Sequence, residues 1–224
     1  MRGIFVTGTD TGVGKTVVAA AICAALTARG ERVAAFKPVV TGLDEEPSGD
    51  WPADHELLAS AAGGAQTASD VTPYTFGRPV SPHLASELEG RTIDPERVRE
   101  AAGSAAAGSD ALVCEGVGGL LVPITLGYSV RDLAVELGLP IVVVARTGLG
   151  TINHSLLTVE AARAAGLGVA GIVMSPWPIR PEPIERSNRE TVERLAGVAV
   201  SCLPPTTPAH LATAAQALPI SDWL

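Results

Sequence analysis

Short, continuous apolar runs alternate along the chain with longer segments in which apolar residues recur at helical spacing. The runs lie at residues 4–6, 32–36, 111–114, 140–145, 169–174 and 198–203. Runs of this length are typical of strands that are buried on both faces of a parallel sheet. Because predicted helices separate them, the pattern predicts an α/β fold with one doubly wound, mainly parallel sheet flanked by helices. We expect a single domain over residues 1–224.

Several predicted helices have recognisable first residues. Asp94 precedes Pro95, which is typical of a helix that begins at the proline, and Ser129 with Asp132 has the spacing of a capping box. Other helices are predicted to follow Lys15 as far as Gly30, to cover residues 55–62, 82–88, 184–195 and 208–218, and to end at residue 165. Residues 39–53 and 70–82 are predicted to be irregular. The first of these segments is too long for a simple connection and is a candidate functional loop.

Residues 6–16, Val-Thr-Gly-Thr-Asp-Thr-Gly-Val-Gly-Lys-Thr, join the first strand to the first helix. A strand, a glycine-rich loop, Lys-Thr and a helix in this order indicate a P-loop. In such a loop, backbone N–H groups hold phosphates, Lys15 reaches the β- and γ-phosphate oxygens, and Thr16 offers a hydroxyl to Mg²⁺. Five residues separate Gly8 from Gly14, where the usual motif has four. The alternative is a glycine-rich turn with one exposed lysine and no ligand.

Polar residues follow most of the predicted strands, at the edge of an α/β sheet where ligands bind. Lys37, Glu115, Thr147 and Ser175 all have this placement. Glu115 is expected to supply a second Mg²⁺ contact, since it comes directly after an apolar strand in a chain with a P-loop. For Lys37 a solvated strand end is the alternative. For Asp54, which opens a predicted helix, an N-cap is the interpretation that local sequence favours.

Composition limits the classes of partner and location. Hydrophobic residues make up 46% of 224, and no apolar run approaches the ~20 residues of a membrane span. The net charge is −8 without a basic block, so neither nucleic acid nor a membrane is expected as a partner. Cys23, Cys114 and Cys202 lie far apart in apolar stretches, as buried thiols in a reducing compartment do. The first strand leaves no room for a signal peptide, so we expect a cytoplasmic protein.

Four motifs together resemble dethiobiotin synthetase. They are Gly-Thr-Asp-Thr-x-Val-Gly-Lys-Thr at residues 8–16, Lys-Pro-Val-x-Thr-Gly at 37–42, Glu-Gly-x-Gly-Gly at 115–119 and Gly-x-Ile-Asn-His at 150–154. The five-residue spacing in the first motif is itself a feature of that family, and the match runs from residue 3 to about 206. The resemblance implies a P-loop NTPase fold and a cyclo-ligase that forms C–N bonds. Its reaction would convert 7,8-diaminononanoate, CO₂ and MgATP into dethiobiotin, ADP and phosphate through a carbamic–phosphoric anhydride.

The resemblance also implies roles for individual residues. Catalysis would depend on Lys15 and Lys37, and Mg²⁺ would be held by Thr16, Asp54 and Glu115. Nucleotide binding would involve Gly12, Val13, Gly14, Lys15, Thr16, Val17, Asp54, Glu115, Gly116, Val117, Gly118, Ser175, Pro176, Pro204 and Pro205. Diamine binding would involve Thr11, Lys37, Thr41, Gly150, Thr151, Ile152 and Asn153.

The last four of these residues, at the start of a helix, would come from the neighbouring subunit of a homodimer and hold the substrate carboxylate. An ordinary helix N-terminus with an Asn cap is the alternative for residues 150–153. A helix N-terminus attracts anions because its N–H groups are unpaired and its dipole is positive there. The resemblance therefore predicts that each active site is completed across the interface of an obligate dimer.

Three positions depart from the family pattern. Thr41 replaces a Ser that many relatives have, and Gly12 stands where a Glu is common. Ser175 stands where the family usually recognises adenine with an Asn amide, so nucleoside triphosphates other than ATP are also expected as substrates. The alternative function is that of a regulatory P-loop ATPase of the partition or septum-site type. Those proteins carry an additional Lys near the start of the loop, and residues 8–14 contain none.

Overall fold

The structure is a computed structural model that describes residues 2–45 and 49–224, so part of the candidate loop 39–53 lies outside the described residues. The strands are β1 (Gly3–Gly8), β2 (Val33–Phe36), β3 (Val39–Val40), β4 (Tyr74–Thr75), β5 (Ala111–Gly119), β6 (Pro123–Thr125), β7 (Tyr128–Ser129), β8 (Ile141–Ala145), β9 (Val169–Met174) and β10 (Val200–Cys202). The α-helices are α1 (Lys15–Ala28), α2 (Asp54–Ala61), α3 (Ala68–Val71), α4 (Pro82–Glu89), α5 (Pro95–Ala106), α6 (Val130–Leu137), α7 (Thr151–Ala164), α8 (Pro183–Ala196), α9 (Leu211–Ala214) and α10 (Ile220–Trp223). Turns of 3₁₀-helix cover Pro208–His210 and Ala215–Ala217.

Six strands form a parallel sheet in the order β10-β9-β8-β1-β5-β2. The strand that leads into the glycine loop, β1, lies between β5 and β8, with Val6 beside both Glu115 and Val142. Because the strands are parallel, their carboxyl ends meet at one edge. The predicted doubly wound fold is therefore confirmed, and the edge brings together the segments that follow β1, β2 and β5.

Two apolar clusters cover the two faces of the sheet. The side chains of β1 alternate between them, with Ile4 and Val6 in one cluster and Phe5 in the other, as the two-residue repeat of a strand requires. The first cluster contains α1, part of α2 and the C-terminal segment, in which Trp223 is buried. The core on this side fixes α1 against β1, and it thereby fixes the loop between them.

Several predicted boundaries were wrong. The strand predicted to end at Cys114 continues as β5 through Glu115 to Gly119, since Val6 pairs with Glu115 in the ladder. The helix predicted over 208–218 is instead α9 with a 3₁₀ turn at each end, because packing against α1 overrides the helix propensity of its alanines. The hairpin β6–β7, the pair β3–β4 and the helices α3 and α10 were not predicted.

Cys202 also departs from the prediction, because it is half-buried, whereas Cys23 and Cys114 are buried. All three thiols are free in the described part of the chain.

Candidate functional site

The glycine loop between β1 and α1 has the backbone that the sequence requires. Gly12 and Gly14 have φ values of 72° and 91°, a region that other L-residues rarely adopt. A Cβ atom on Gly8 would lie 2.9 Å from the side chains of both Val13 and Lys15. The loop is therefore closed tightly over the start of α1, as the predicted P-loop requires.

A cavity of about 370 Å³ lies beside this loop at the carboxyl edge of the sheet. It brings together most residues that the sequence predicted for the phosphate, metal and diamine sites, namely Thr11, Gly12, Gly14, Lys15, Thr16, Val17, Lys37, Thr41, Asp54, Glu115, Val117 and Gly118. Val39, Trp51, Pro52 and Leu57 also line the cavity and were not predicted. The sequence offered one indication of their role, which is that they lie in the candidate loop 39–53 or in the helix that follows it.

The ammonium group of Lys37 lies at the centre of a polar cluster in the cavity. Its Nζ donates to Asp54 Oδ2 at 2.5 Å and to Glu115 Oε1 at 2.7 Å, and it is 3.4 Å from Thr16 Oγ1. The Thr16 hydroxyl also donates to Glu115 Oε1, at 2.8 Å. The side chains of Lys37 and Glu115 are 5% and 0% exposed, whereas that of Asp54 is 45% exposed. The cluster is thus buried on the sheet side and open on the α2 side.

Burial and ion pairing compete in this cluster. Burial lowers the pKa of Lys37, but the nearby Glu115 and Asp54 carboxylates together raise it by a larger amount. The pKa of Lys37 therefore lies above its usual value. Burial raises the pKa of Asp54, yet Lys37, together with Thr16 and Lys15, lowers it by more. For Glu115, burial is the larger effect and raises the pKa in spite of Lys37. Lys37 is therefore held as a charged ammonium group between two acids.

Lys15 makes a different contact in the same cavity. Its Nζ donates to the backbone carbonyl of Asp10 at 2.8 Å, and burial is the main reason that its pKa is lowered. The carboxylate of Asp10 accepts from the backbone N–H of Thr11 and from Arg146 Nη2, both at 2.7 Å. Lys15 thus has no carboxylate partner among the described residues and lies along the loop that would hold phosphates.

The cluster provides oxygen ligands of the kind that Mg²⁺ prefers. Glu115 Oε2 is buried and has no hydrogen-bond partner in the described chain, which leaves it free to accept a cation. The residues described do not include a group of three or more His, Cys, Asp or Glu side chains arranged for a metal. Mg²⁺ commonly takes one or two carboxylates, with water and substrate phosphates completing its shell. Thr16, Asp54 and Glu115 fit that pattern.

The interpretation of Asp54 as an N-cap was wrong. Ala53 is the N-cap of α2, and Asp54 is the first helical residue, with its carboxylate on Lys37. The local sequence gave no sign of this pairing, because Lys37 and Asp54 are separated by the long loop. Placing Asp54 at the helix start still gives its carboxylate a favourable position near the positive end of the helix dipole.

Ser175, which was predicted to bind the base, lies beside the P-loop and outside this cavity, and Pro176, Pro204 and Pro205 do not line the cavity either. Ser175 is buried directly after β9, and its Oγ would lie 3.0 Å from a Cβ atom on Gly14. The N–H of Trp177 donates to the carbonyl of Leu203 at 2.7 Å. This bond joins the segment with Ser175 and Pro176 to the one with Pro204 and Pro205.

The loop that leads into α7 is separate from both groups. Gly150, with a φ of 91°, is the N-cap of α7, so the alternative of an Asn cap was wrong. Thr151 is buried and donates from Oγ1 to the carbonyl of Arg146 at 2.6 Å. Gly150 and Asn153 are exposed, and residues 150–153 do not line the cavity in the single chain described.

Comparison with known proteins identifies the family. A family model described as an AAA domain matches residues 2–210. The ATP-dependent dethiobiotin synthetase BioD of Anaeromyxobacter dehalogenans (strain 2CP-C) is 47% identical over 195 residues, which cover 87% of this chain and 86% of that protein. The chain belongs to the dethiobiotin synthetase family. The synthetase of the same name from Bacillus subtilis (strain 168) is 38% identical over 200 residues, which cover 89% of this chain and 85% of the relative.

Solved structures outside the dethiobiotin synthetases share the fold. A ParA family ATPase from Chlorobium tepidum TLS matches with a TM-score of 0.55 and 14% identity, over 99% of this chain and 95% of that one. The septum site-determining protein MinD from Pyrococcus horikoshii OT3, complexed with Mg-ADP, matches with a TM-score of 0.52 and 17% identity, over 99% and 88%. At these identities the likeness confirms the P-loop fold alone. Within the described ranges, none of the helices has the length and apolar character needed to span a membrane.

Proposed function

We propose that the cavity beside the P-loop makes dethiobiotin from 7,8-diaminononanoate, CO₂ and ATP, with Mg²⁺ as cofactor, and releases ADP and phosphate. Membership of the dethiobiotin synthetase family supports the reaction. The observation that supports placing the reaction in this cavity is the cluster in which Lys37 contacts Asp54, Glu115 and Thr16 next to the P-loop. This arrangement combines positive charge for phosphoryl oxygens with oxygen ligands for a divalent cation.

The reaction needs positioning and charge neutralisation more than a strong base. CO₂ and the N7 amine form a carbamate, whose oxygen attacks the γ-phosphorus as ADP leaves. The N8 amine then attacks the carbamoyl carbon, loses a proton and releases phosphate. Negative charge is concentrated on phosphoryl and carbamate oxygens throughout, and Lys15 and Lys37 would hold those oxygens. Mg²⁺ bound by Thr16, Asp54 and Glu115 would neutralise charge on the nucleotide phosphates.

The proposal includes a homodimer in which residues 150–153 of one copy bind the diamine carboxylate of the other. In support, these residues do not line the cavity of their own chain. A second cavity of about 450 Å³ separates α7 from the P-loop, between Leu157 and the segment Leu120–Pro123. Leu121 and Leu157, which line this cavity, are 58% and 56% exposed, and Leu149, in the loop before α7, is 87% exposed. Exposed leucines of this kind are typical of a surface that a partner covers. A cytoplasmic location is part of the proposal, which the free cysteines favour.

The partition and septum-site ATPases remain the alternative class. The likeness to their structures concerns the fold, and residues 8–14 lack their additional Lys. No feature of the cavity favours them.

The purified chain should be incubated with MgATP, the diamine and ¹³C-labelled bicarbonate, and the products analysed by mass spectrometry. We expect dethiobiotin with the heavy carbon in its ureido group and phosphate release that requires the diamine and bicarbonate. Unlabelled product, or phosphate release that ignores both substrates, would contradict the proposal. Glu115→Gln is the control for activity from a contaminating enzyme.

A further inference from the structure

The ammonium group of Lys37 lies among the three side chains proposed to bind the metal. Its Nζ is 2.5 Å from Asp54 Oδ2, 2.7 Å from Glu115 Oε1 and 3.4 Å from Thr16 Oγ1. Mg²⁺ binds its ligands at about 2.0–2.1 Å. A cation that binds Asp54 Oδ2 at that distance would lie within about 5 Å of Lys37 Nζ, so the two positive charges would repel each other in this buried cluster. Glu115 Oε2, which is buried and has no hydrogen-bond partner among the described residues, offers such a cation a first contact. Metal and ammonium group therefore compete for the same carboxylates.

The consequences for Lys37 follow from charge. Its side chain is 5% exposed, and Asp54 and Glu115 compensate its charge in this buried position. A divalent cation on the same carboxylates would remove that compensation and repel the ammonium group. Lys37 lines the cavity in which the reacting oxygens would lie, so the cavity provides room and new anionic partners for the displaced group.

We infer that a divalent cation and the Lys37 ammonium group exchange at the oxygens of Thr16, Asp54 and Glu115, so that cation binding transfers Lys37 to the anionic substrates. This rests on the proposed function in assigning those three residues to the metal. It adds that Lys37 is held away from the substrates until the cation arrives. Because such coupling is reciprocal, removing the Lys37 charge must strengthen cation binding.

The test measures Mn²⁺ binding to the nucleotide-free protein by electron paramagnetic resonance. Mn²⁺ is the probe because it accepts the oxygen ligands that suit Mg²⁺. We expect Lys37→Met and Lys37→Gln each to bind Mn²⁺ about tenfold or more tightly than the unchanged protein, because a competing charge is lost within a few ångströms of the cation. The matched control is Lys15→Met, which removes one positive charge from the same cavity, from a side chain that contacts the Asp10 carbonyl. It should gain clearly less affinity than the Lys37 variants.

Equal gains in the Lys15 and Lys37 variants would overturn the exchange, since cavity charge alone would then explain the effect. Unchanged Mn²⁺ binding in either Lys37 variant, with native circular dichroism, would also overturn it. A double variant tests whether the additional Mn²⁺ binds at Glu115. Combining Glu115→Gln with Lys37→Gln should remove the affinity gained in Lys37→Gln. If the gain survives, Mn²⁺ binds elsewhere. The experiment uses no substrate, so its failure is distinguishable from a failure to form dethiobiotin.

Discussion

The part of the cavity lined by Lys15, Lys37 and Glu115, called here the phosphate end, differs from the loop before α7 in how many of its contacts a single chain supplies. At the phosphate end Lys37 and Glu115 are almost fully buried, and each has a charged partner from another part of the same chain. At the α7 loop Gly150 and Asn153 are exposed. The side chains of Thr151 and Asn188 hold that loop in place by donating hydrogen bonds to its backbone carbonyls.

This difference separates two kinds of functional residue. A buried charge must be compensated within the chain for the chain to fold, because breaking a buried ion pair costs about 3–5 kcal/mol. Residues at the phosphate end therefore stabilise the fold in addition to their proposed part in the reaction. A loop that binds substrate across a subunit interface, as proposed for the α7 loop, carries no such cost, so substitutions there should affect activity without affecting folding.

The largest expected effect is at the phosphate end. Lys15→Ala and Glu115→Gln should each reduce turnover by ~10²-fold or more, the scale for losing one stabilising group in an electrostatic site. Gln is preferred to Ala at Glu115 because it preserves volume and leaves a hydrogen-bond acceptor for Lys37. Steady-state kinetics measure the loss, and thermal unfolding shows whether the fold survives. Near-normal turnover in either folded variant would remove that residue from the mechanism.

If the α7 loop completes the active site of the neighbouring subunit, two inactive variants should restore activity when their subunits are mixed. A Lys37→Ala chain lacks the phosphate end, and a Gly150→Glu chain repels the substrate carboxylate, so each homodimer should be inactive. In a mixed dimer, the site with an intact Lys37 takes its α7 loop from the other chain, and that loop has an unchanged Gly150. Equal mixing should therefore recover about a quarter of the normal activity, one site in half of the dimers.

Gly150 has a φ of 91°, so any substitution there could strain the backbone, and a control must separate that strain from the effect of the added charge. Gly150→Asn tolerates this backbone better than other substitutions and adds no charge, so it should retain most of the activity. A mixture that stays inactive while mass spectrometry shows exchanged subunits would mean that each chain builds its site alone.

The sequence predicted that Lys15, Lys37 and Glu115 meet at one edge of the sheet, because candidate residues of this kind follow strand ends. Lys15, Lys37 and Glu115 each come at the end of an apolar run or of the glycine loop that follows one, and parallel strands bring such residues to one edge. Even so, Glu115 proved to be part of β5, since a charge can remain in a buried strand when a lysine pairs with it.

Contacts between distant segments were not predictable from local pattern. The pairing of Lys37 with Asp54 spans the long loop, and Trp51 reaches the cavity wall from the same loop. The salt bridge between Asp10 and Arg146 joins the P-loop to the segment after β8. Such pairs depend on tertiary placement, about which hydrophobic periodicity carries no information.

A smaller effect is expected from the base. If binding depends mainly on the phosphate end, the site should discriminate little between ATP, CTP, GTP and UTP. Ser175 offers one hydroxyl beside the P-loop, so we expect preferences below ~100-fold in kcat/KM, less than paired hydrogen bonds to a base provide. Ser175→Ala is the matched control and should change these ratios only slightly. Strict specificity for one triphosphate would show that backbone groups, such as those near Pro204 and Pro205, recognise the base.

The smallest expected effect concerns the link between the two regions. Arg146 Nη2 contacts Asp10 Oδ2 at 2.7 Å, with side chains 46% and 49% exposed. Because solvent screens exposed ion pairs, a double-mutant cycle of Asp10→Asn and Arg146→Met should give a coupling below ~1 kcal/mol in the free energy of unfolding. Asp10→Asn keeps an oxygen that accepts from the Thr11 N–H, so it tests the ion pair and not the loop contact. A coupling of several kcal/mol, or a large rise in the KM for both ATP and the diamine, would show that this pair holds the P-loop and the α7 loop as one unit.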